Sequence, residues 1–290
     1  MTDYGHELLF GTFVTPTADN PRQALDLAMA ADTAGLDLVT FQDHPYQSSF
    51  LDTWTLMSYV AARTERIRIA GNVLSLPLRP PAVLARAVAS LDILSGGRVN
   101  LGLGAGAFWE GIAAMGGRRL TPGQGVDALR EAITVIRELW DTDKRGGVQH
   151  DGEHYQVVGA KRGPAPAHEV PIWVGAYKPK MLALTGAHAD GWLPSMEYLS
   201  GGAADLPVLN ARIDAAAIQA GRSPTDIRRL MNYMGASQSP SRQWAEELAA
   251  LAITHGISAF IIGGDDRAIT ERFAGEVAPA VRELVAAERR

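Results

Sequence analysis

Short, almost wholly apolar runs alternate with longer amphipathic ones from one end of the chain to the other. Leu8–Val14 is apolar and rich in β-formers, and Pro21–Ala34 follows with helical spacing at Leu25, Ala28, Met29 and Asp32 before Gly35. Leu36–Phe41 predicts the next strand and Asp52–Arg63 a helix, with Asp52 placed to cap it. Ile67–Leu74 and Val99–Leu103 predict the third and fourth strands. Between them Pro80–Leu94 predicts a helix with proline in its first turn, stopped by Ser95-Gly96-Gly97. Gly123–Trp140 is a long helix, and Asp141–Val170 is irregular apart from a strand-like piece at His154–Val158. The alternation resumes with strands at Pro171–Val174, Gly191–Leu193, Arg229–Met234 and Ala259–Ile262, and helices at Pro179–His188, Ala203–Ala220, Ser241–Thr254 and Ile269–Ala287.

Strands that are apolar on both faces, separated by amphipathic helices, imply a parallel sheet covered on both sides. Eight such units predict a closed α/β fold, a (β/α)8 TIM barrel, as one domain over 1–290 with an irregular insertion near 141–170. The rival is an open doubly wound sheet, because "GLGAGA" at 102–107 fits the loose dinucleotide fingerprint G-x-G-x-x-A. That motif follows the fourth strand instead of the first, and no acidic residue closes a second strand about 20 residues on, where a ribose ligand belongs. The barrel is the better reading.

Composition narrows the function without naming it. The 290 residues are 47% hydrophobic and 20% charged, which suits a globular protein with a large core. A net charge of -5 with scattered Lys and Arg argues against nucleic acid. No apolar run approaches the roughly 20 residues that span a bilayer. The N-terminus lacks a basic stretch followed by an apolar one, so no signal peptide is expected, and a soluble cytoplasmic protein is. Without cysteine there are no disulfides, thiolate metal sites or Cys nucleophile.

In such a barrel the chemistry belongs at the C-terminal ends of the strands. Those ends carry Thr15-Pro16-Thr17, Asp43-His44 with Tyr46, and Asn72 through Pro77. They also carry Gly104 through Glu110, Gly175 through Lys178, Pro194 through Glu197, Gly235-Ala236-Ser237, and Gly263 through Asp266. Small residues after the fourth, fifth, seventh and eighth strands let backbone approach a flat or phosphorylated ligand. Tyr46, Phe108, Trp109, Tyr177 and Met196 interleave with few charges, which suits a planar organic ligand. No metal site is expected, since His44 has no partner at helical or turn spacing. The absence of G-x-S-x-G argues against a serine hydrolase. Each feature also has a plain structural reading. Asp43 could cap a turn, the glycines could shape a tight loop, and Glu110 could be a helix N-terminal charge.

The segments "GLDLVTFQDHPYQ", "RIRIAGNVLSLPLRPPAVLARAVASLDILSGGRVNLGLGAGAFWEG" and "PIWVGAYKPKMLALTGAHADGWLPS" resemble the luciferase-like oxidoreductases. This superfamily holds bacterial luciferase, alkanesulfonate monooxygenase and the coenzyme F420-dependent dehydrogenases and reductases. The resemblance runs over almost the whole chain, from "GTFV" to "FIIGG". It implies a flavin or deazaflavin ring across the barrel mouth. Asp43 and His44 would line it, with the imidazole near the reacting carbon and the anion beside it as an orienting group. It also implies a non-prolyl cis peptide at Asn72–Val73, supporting the ring from behind. Ser75, Gly104, Ala105, Gly106 and Glu110 would contact the ring and ribityl chain, and Gly175, Ala176 and Tyr177 would carry that chain toward its phosphate. Histidine suits the place because it gains or loses a proton near neutral pH.

The chain departs from the F420-dependent sugar-phosphate dehydrogenases at two positions. Where they have a Glu after the glycine loop and a Trp four residues after the His, this sequence has Ala107 and Ser48. The resemblance therefore implies hydride transfer between F420 and a small organic substrate other than a sugar phosphate, with His44 as the catalytic residue. Two alternatives stand beside it: an FMN-dependent monooxygenase fed by a partner reductase, and a non-catalytic protein that binds flavin or F420. Family members commonly dimerise through barrel helices, so a homodimer is expected, with Leu25–Ala34 and Val83–Ala89 as small-residue faces for it.

Overall fold

The computed structural model describes residues 3–235 and 238–290. Ala236 and Ser237, part of the small-residue run expected after the seventh strand, lie outside the described residues. In chain order the elements are β1 (Leu9–Val14), α1 (Gln23–Ala34), β2 (Leu38–Phe41), α2 (Thr53–Ala61), β3 (Arg68–Gly71) and β4 (Leu74–Ser75). There follow α3 (Pro81–Ser95), β5 (Val99–Gly104), α4 (Trp109–Ala114), α5 (Pro122–Trp140), β6 (Val148–Asp151) and β7 (Gln156–Ala160). The chain continues through β8 (Ile172–Val174), α6 (Pro179–His188), β9 (Gly191–Trp192), α7 (Leu206–Gln219) and β10 (Arg228–Tyr233). It closes with α8 (Ser241–His255), β11 (Ala259–Gly263), α9 (Arg267–Arg272) and α10 (Ala278–Glu288).

Eight parallel positions form a closed barrel. The strands neighbour one another in the order β3-β2-β1-β11-β10-β9-β8-β5, and β3 returns to pair with β5 at Ile69↔Val99 and Ala70↔Asn100. This is the TIM barrel expected from the alternation, and closure leaves no sheet edge exposed. Side-chain parity sorts the strand residues into two cores. Leu38, Ala70, Trp173, Leu193, Leu230, Ala259 and Ile261 fill the interior of the barrel. The alternate residues, among them Phe10, Val39, Phe41, Ile69 and Phe260, join the larger core beneath the helices.

Local chemistry sets the helix ends. The Asp52 carboxylate accepts the Thr55 N–H at 2.8 Å and so caps α2 as expected. Thr121 and Gln124 cap α5 reciprocally, with Pro122 in the first turn.

Three expectations need correction. The third strand does not run unbroken over 67–74: it stops at Gly71 and resumes at Leu74, because the cis Asn72–Val73 peptide turns the backbone out of the ladder. The stretch 141–170 is irregular as expected over most of its length, but its strand-like piece, β7, pairs with an unexpected β6 in an antiparallel hairpin. That hairpin hangs on Glu131 of α5, whose buried carboxylate accepts the N–H groups of Glu153, His154 and Tyr155 at 3.0–3.1 Å. The closing helix is broken into α9, a π-turn at Phe273–Val277 and α10. Pro279, in the first turn of α10, has no N–H to donate back, which favours a widened turn before it.

Within the chain most small residues named for dimer packing are turned inward, while Val83 stays exposed. Ala24, Leu25, Ala28 and Ala31 of α1, and Leu84, Ala85, Val88 and Ala89 of α3, are buried against the barrel. No helix among the described residues is long and apolar enough to cross a membrane.

Candidate active site

The C-terminal mouth of the barrel is built on a polar crosspiece that sequence reasoning missed. The Asn72 amide donates to Asn232 Oδ1 at 2.7 Å and receives the Asn232 amide on its own Oδ1 at 3.1 Å. Asn72 also donates to Thr40 Oγ1 at 3.2 Å, and Asn232 to Ser195 Oγ at 3.2 Å. The Ser195 N–H in turn donates to the Tyr177 hydroxyl at 2.7 Å. A connected set of side chains thus spans from β2 to β10 and on to the loop after β8. Asn232 sits two residues beyond inward-facing Leu230, so strand parity was the signal that could have revealed it.

Above this crosspiece lies the cis Asn72–Val73 peptide anticipated from the resemblance. Val73 lies against two backbone positions free of side chains. A Cβ on Gly104 would fall 2.7 Å from Val73 Cγ2, and one on Gly175 would fall 3.6 Å from it. Backbone at Gly104 and Gly175 is therefore bare beside the bulge, while Ala105 keeps its methyl. Gly106 has φ +96°, a left-handed conformation that favours glycine.

Asp43 has a different environment from the one expected. Its buried carboxylate accepts Arg79 Nε at 2.8 Å, Arg79 Nη2 at 2.7 Å and the Ser75 N–H at 2.9 Å. Arg79 binds Asp52 as well, at 3.0 Å. Asp43 is thus a bidentate brace between the ends of β2 and β4 and does not orient His44. The same brace occupies the Ser75 N–H.

His44 has another partner. Its Nδ1 lies 2.6 Å from the Tyr46 hydroxyl, and its ring meets Phe108 edge-on at 5.4 Å. Tyr46 contacts Phe108 at 5.9 Å, and Phe50 lies 6.4 Å from the imidazole. Burial lowers the His44 pKa, against an opposing pull from the Asp43 charge, so the neutral imidazole is the resting form near pH 7. Burial, reinforced by Asp43, raises the Tyr46 pKa, which keeps the phenol protonated. Among the described residues Nε2 of His44 has no protein partner.

The remaining expected residues divide in two. Gly175 and Tyr177 stand beside the crosspiece, and the Tyr177 ring meets Tyr198 edge-on at 5.9 Å. Ala105 is half-buried on the loop, with its carbonyl 3.3 Å from where a Cβ on Gly125 would lie. Ala176, by contrast, is buried in the helix-side core, and its carbonyl accepts the Trp192 indole N–H at 2.8 Å. Glu110 points to solvent, where it pairs with Arg119 at 2.9 Å; that hydrogen bond lowers its pKa. It is the helix N-terminal charge of the plainer reading. A cavity of about 280 Å³ lies off the axis, lined by Tyr233, Trp244, Ile262 and Asp265 among others, and shares no lining residue with the His44 cluster. Among the described residues no group of three or more His, Asp and Glu side chains could hold a metal ion.

The arrangement offers one titratable group with a free nitrogen, an aromatic surround and glycine backbone next to the Asn72–Val73 bulge. It can hold a planar ligand and exchange a proton with it or with a substrate stacked on it.

Comparison with known proteins agrees with this picture. The family described as "Luciferase-like monooxygenase" matches residues 3–289. An F420-dependent glucose-6-phosphate dehydrogenase of Nocardia farcinica is 34% identical over 222 residues, 73% of this chain and 63% of that protein. The chain thus spans less than two thirds of that curated relative's length. A 5,10-methylenetetrahydromethanopterin reductase of Archaeoglobus fulgidus is 30% identical over 259 residues, 88% of this chain and 71% of the relative. Among solved structures, an F420-dependent secondary alcohol dehydrogenase in complex with an F420-acetone adduct shares the fold. Its TM-score is 0.81 and its identity 22%, with 95% of this chain and 99% of that one covered.

Proposed function

We propose, from the premise that this chain belongs to the luciferase-like monooxygenase family, that it is an oxidoreductase moving a hydride between coenzyme F420 and a small organic substrate. The observation that carries the reading is His44: a neutral imidazole with Nε2 open, at the catalytic end of a barrel whose mouth also carries the cis Asn72–Val73 bulge. The F420-dependent names of the relatives support the cofactor assignment.

The residues fit such a group. Gly104 and Gly175 offer backbone without side chains beside Val73, which would form the apolar backing. Lys178 and Lys180 are exposed after Gly175–Tyr177, on the side where the resemblance puts the phosphate. When bound, the deazaflavin supplies the hydride-carrying carbon. The protein's own part is to hold the ring flat, to shield it with Phe108 and Tyr177, and to hold or deliver one proton at His44 Nε2. Ala107 and Ser48 leave the mouth without a carboxylate or a large stacking wall at those positions, which favours an uncharged, largely apolar substrate.

Titration of the purified protein with F420 and with FMN, each oxidised and reduced, tests the reading. Tight binding of F420 with weak binding of FMN is expected, and the reverse would favour the monooxygenase alternative. His44→Ala should then lower turnover by about 10²–10⁴-fold with little change in F420 affinity. Wild-type turnover in that variant would remove the catalytic role.

A further inference from the structure

His44 is tied to Tyr46 at Nδ1 and open at Nε2. Tyr46 is itself held: its ring lies against Phe108, and α4 passes so close that a Cβ on Gly111 would fall 2.7 Å from the Tyr46 Cγ. Tyr46 thus packs directly on the α4 backbone at Gly111, which seats its ring beside the imidazole. A carboxylate at Nδ1 would impose a single tautomer on the ring, because it only accepts. Asp43, the carboxylate placed to do so by sequence, is spent on Arg79 and the Ser75 N–H. A tyrosine hydroxyl both donates and accepts. With Oη donating to Nδ1, Nε2 carries the proton and is an acid; with Nδ1–H donating to Oη, Nε2 is a base.

We propose that Tyr46 is the positioning residue of this site: its hydroxyl holds Nδ1 and lets neutral His44 act through Nε2 as acid or as base. The proposal rests on the oxidoreductase reading above. In the reducing direction, the polarised double bond of a substrate takes the hydride of reduced deazaflavin at carbon and the Nε2 proton at its heteroatom. Nδ1 then takes the phenol proton, Oη is reprotonated from solvent, and the proton that the deazaflavin would lose along with its hydride goes to solvent, so the count closes. The substrate is reduced and the deazaflavin oxidised, and neither His44 nor Tyr46 is left charged. Oxidation runs the same transfers backward. Burial makes the imidazolium unfavourable here, so a route that avoids it has an advantage. The charged groups nearby do not supply a substitute partner: Asp43 faces Arg79, and Glu110 on α4 faces Arg119.

The test reads the histidine directly. In ligand-free protein, the ¹⁵N resonances of the His44 ring should move when Tyr46→Phe removes the hydroxyl but keeps the ring. Reduced F420 should bind the variant as it binds the wild type. With a carbonyl compound that the wild type reduces, turnover should fall about 10²-fold. The residual rate should decline as pH rises through the His44 pKa, because the variant must use the imidazolium as its acid, while the wild-type rate stays level. Should Tyr46→Phe fail to fold, 3-fluorotyrosine at position 46 keeps ring and hydroxyl, and its altered acidity should also move the His44 nitrogens. Unchanged His44 resonances in the folded variant overturn the proposal whether or not F420 binds. A wild type that shows the shift with Tyr46→Phe yet ignores F420 overturns only the cofactor reading.

Discussion

Asn72 and Asn232, 160 residues apart in sequence, exchange two amide hydrogen bonds across the mouth of the barrel, at 2.7 and 3.1 Å. The pair fixes the residue that begins the cis peptide to a strand on the far side, so the bulge is held from within the barrel. Asn232→Ala should leave the half-buried Asn72 amide with Thr40 as its remaining side-chain partner, at a cost of about 1–3 kcal/mol. Chemical denaturation should show that loss, and cofactor affinity should fall with it as the bulge loosens. A variant that unfolds earlier but binds cofactor as before would separate the crosspiece from the site.

The Asp43–Arg79 brace yields a different expectation. Arg79 is mostly buried, so Asp43→Ala strands its guanidinium with Asp52 as its remaining ion-pair partner and should cost about 3 kcal/mol. Because Asp43 does not touch His44, the variant should lose stability far more than it loses turnover per folded molecule. Turnover measured well below the unfolding midpoint checks this. A loss as large as that of His44→Ala would restore Asp43 to the chemistry.

The barrel was legible in the sequence because strand parity and helix periodicity are local, and apolar runs such as Leu36–Phe41 report burial on both faces directly. His44 and the glycines were legible by position, since strand ends in such barrels face the site. The partners of His44 and Asp43 were not. Asp43 and His44, though neighbours in sequence, turn to different partners, Arg79 and Tyr46, and adjacency in the chain carries no record of either. Asn232 was hidden for a related reason: an amide within an apolar strand has meaning only when a second amide, here Asn72, comes opposite it. Of the hairpin over 148–160 only the second strand left a trace in the sequence, because exposed two-stranded ribbons carry little apolar pattern, and its anchor, Glu131, reads as one more charge on an amphipathic helix.

Gly104 tests the bare backbone beside the bulge. Gly104→Ala would put a methyl 2.7 Å from Val73 Cγ2, closer than such atoms pack, so the bulge or the loop must move by several tenths of an ångström. The fold should survive with a penalty of about 1–3 kcal/mol, typical of overpacking. Cofactor affinity should drop sharply, because that backbone and its backing both shift. Ala176 makes the matching control: its methyl is buried on the helix side, so Ala176→Gly should alter stability and leave affinity alone. Equal affinity in wild type and Gly104→Ala, measured by fluorescence titration, would move the ligand away from this backbone.

Four histidines give the protein a calculable response to acid. Burial lowers the pKa of His6, His44, His188 and His255, in each case as the largest cause. In the unfolded chain each returns to about 6.5. Between that value and the lower folded one, the unfolded state holds protons that the folded state refuses, so stability falls as pH falls. The contribution is fully present above about pH 6.5 and is lost as pH drops through the folded values. Glu131 has the same sign lower down. Its own burial would raise its pKa, but three backbone N–H groups and His150 outweigh that and lower it, so the hairpin's anchor weakens only once carboxylates protonate. The net charge of -5 acts in the opposite direction, since gained protons reduce self-repulsion. Site-specific burial acts at close range in a low dielectric, while a charge of this size is spread over the surface and screened by salt. The urea midpoint should therefore decline steadily from pH 7.5 to 5.5 at 0.15 M salt, and His44→Gln should flatten part of that slope. A midpoint that rises on acidification would show that the histidines titrate as they do in the unfolded chain.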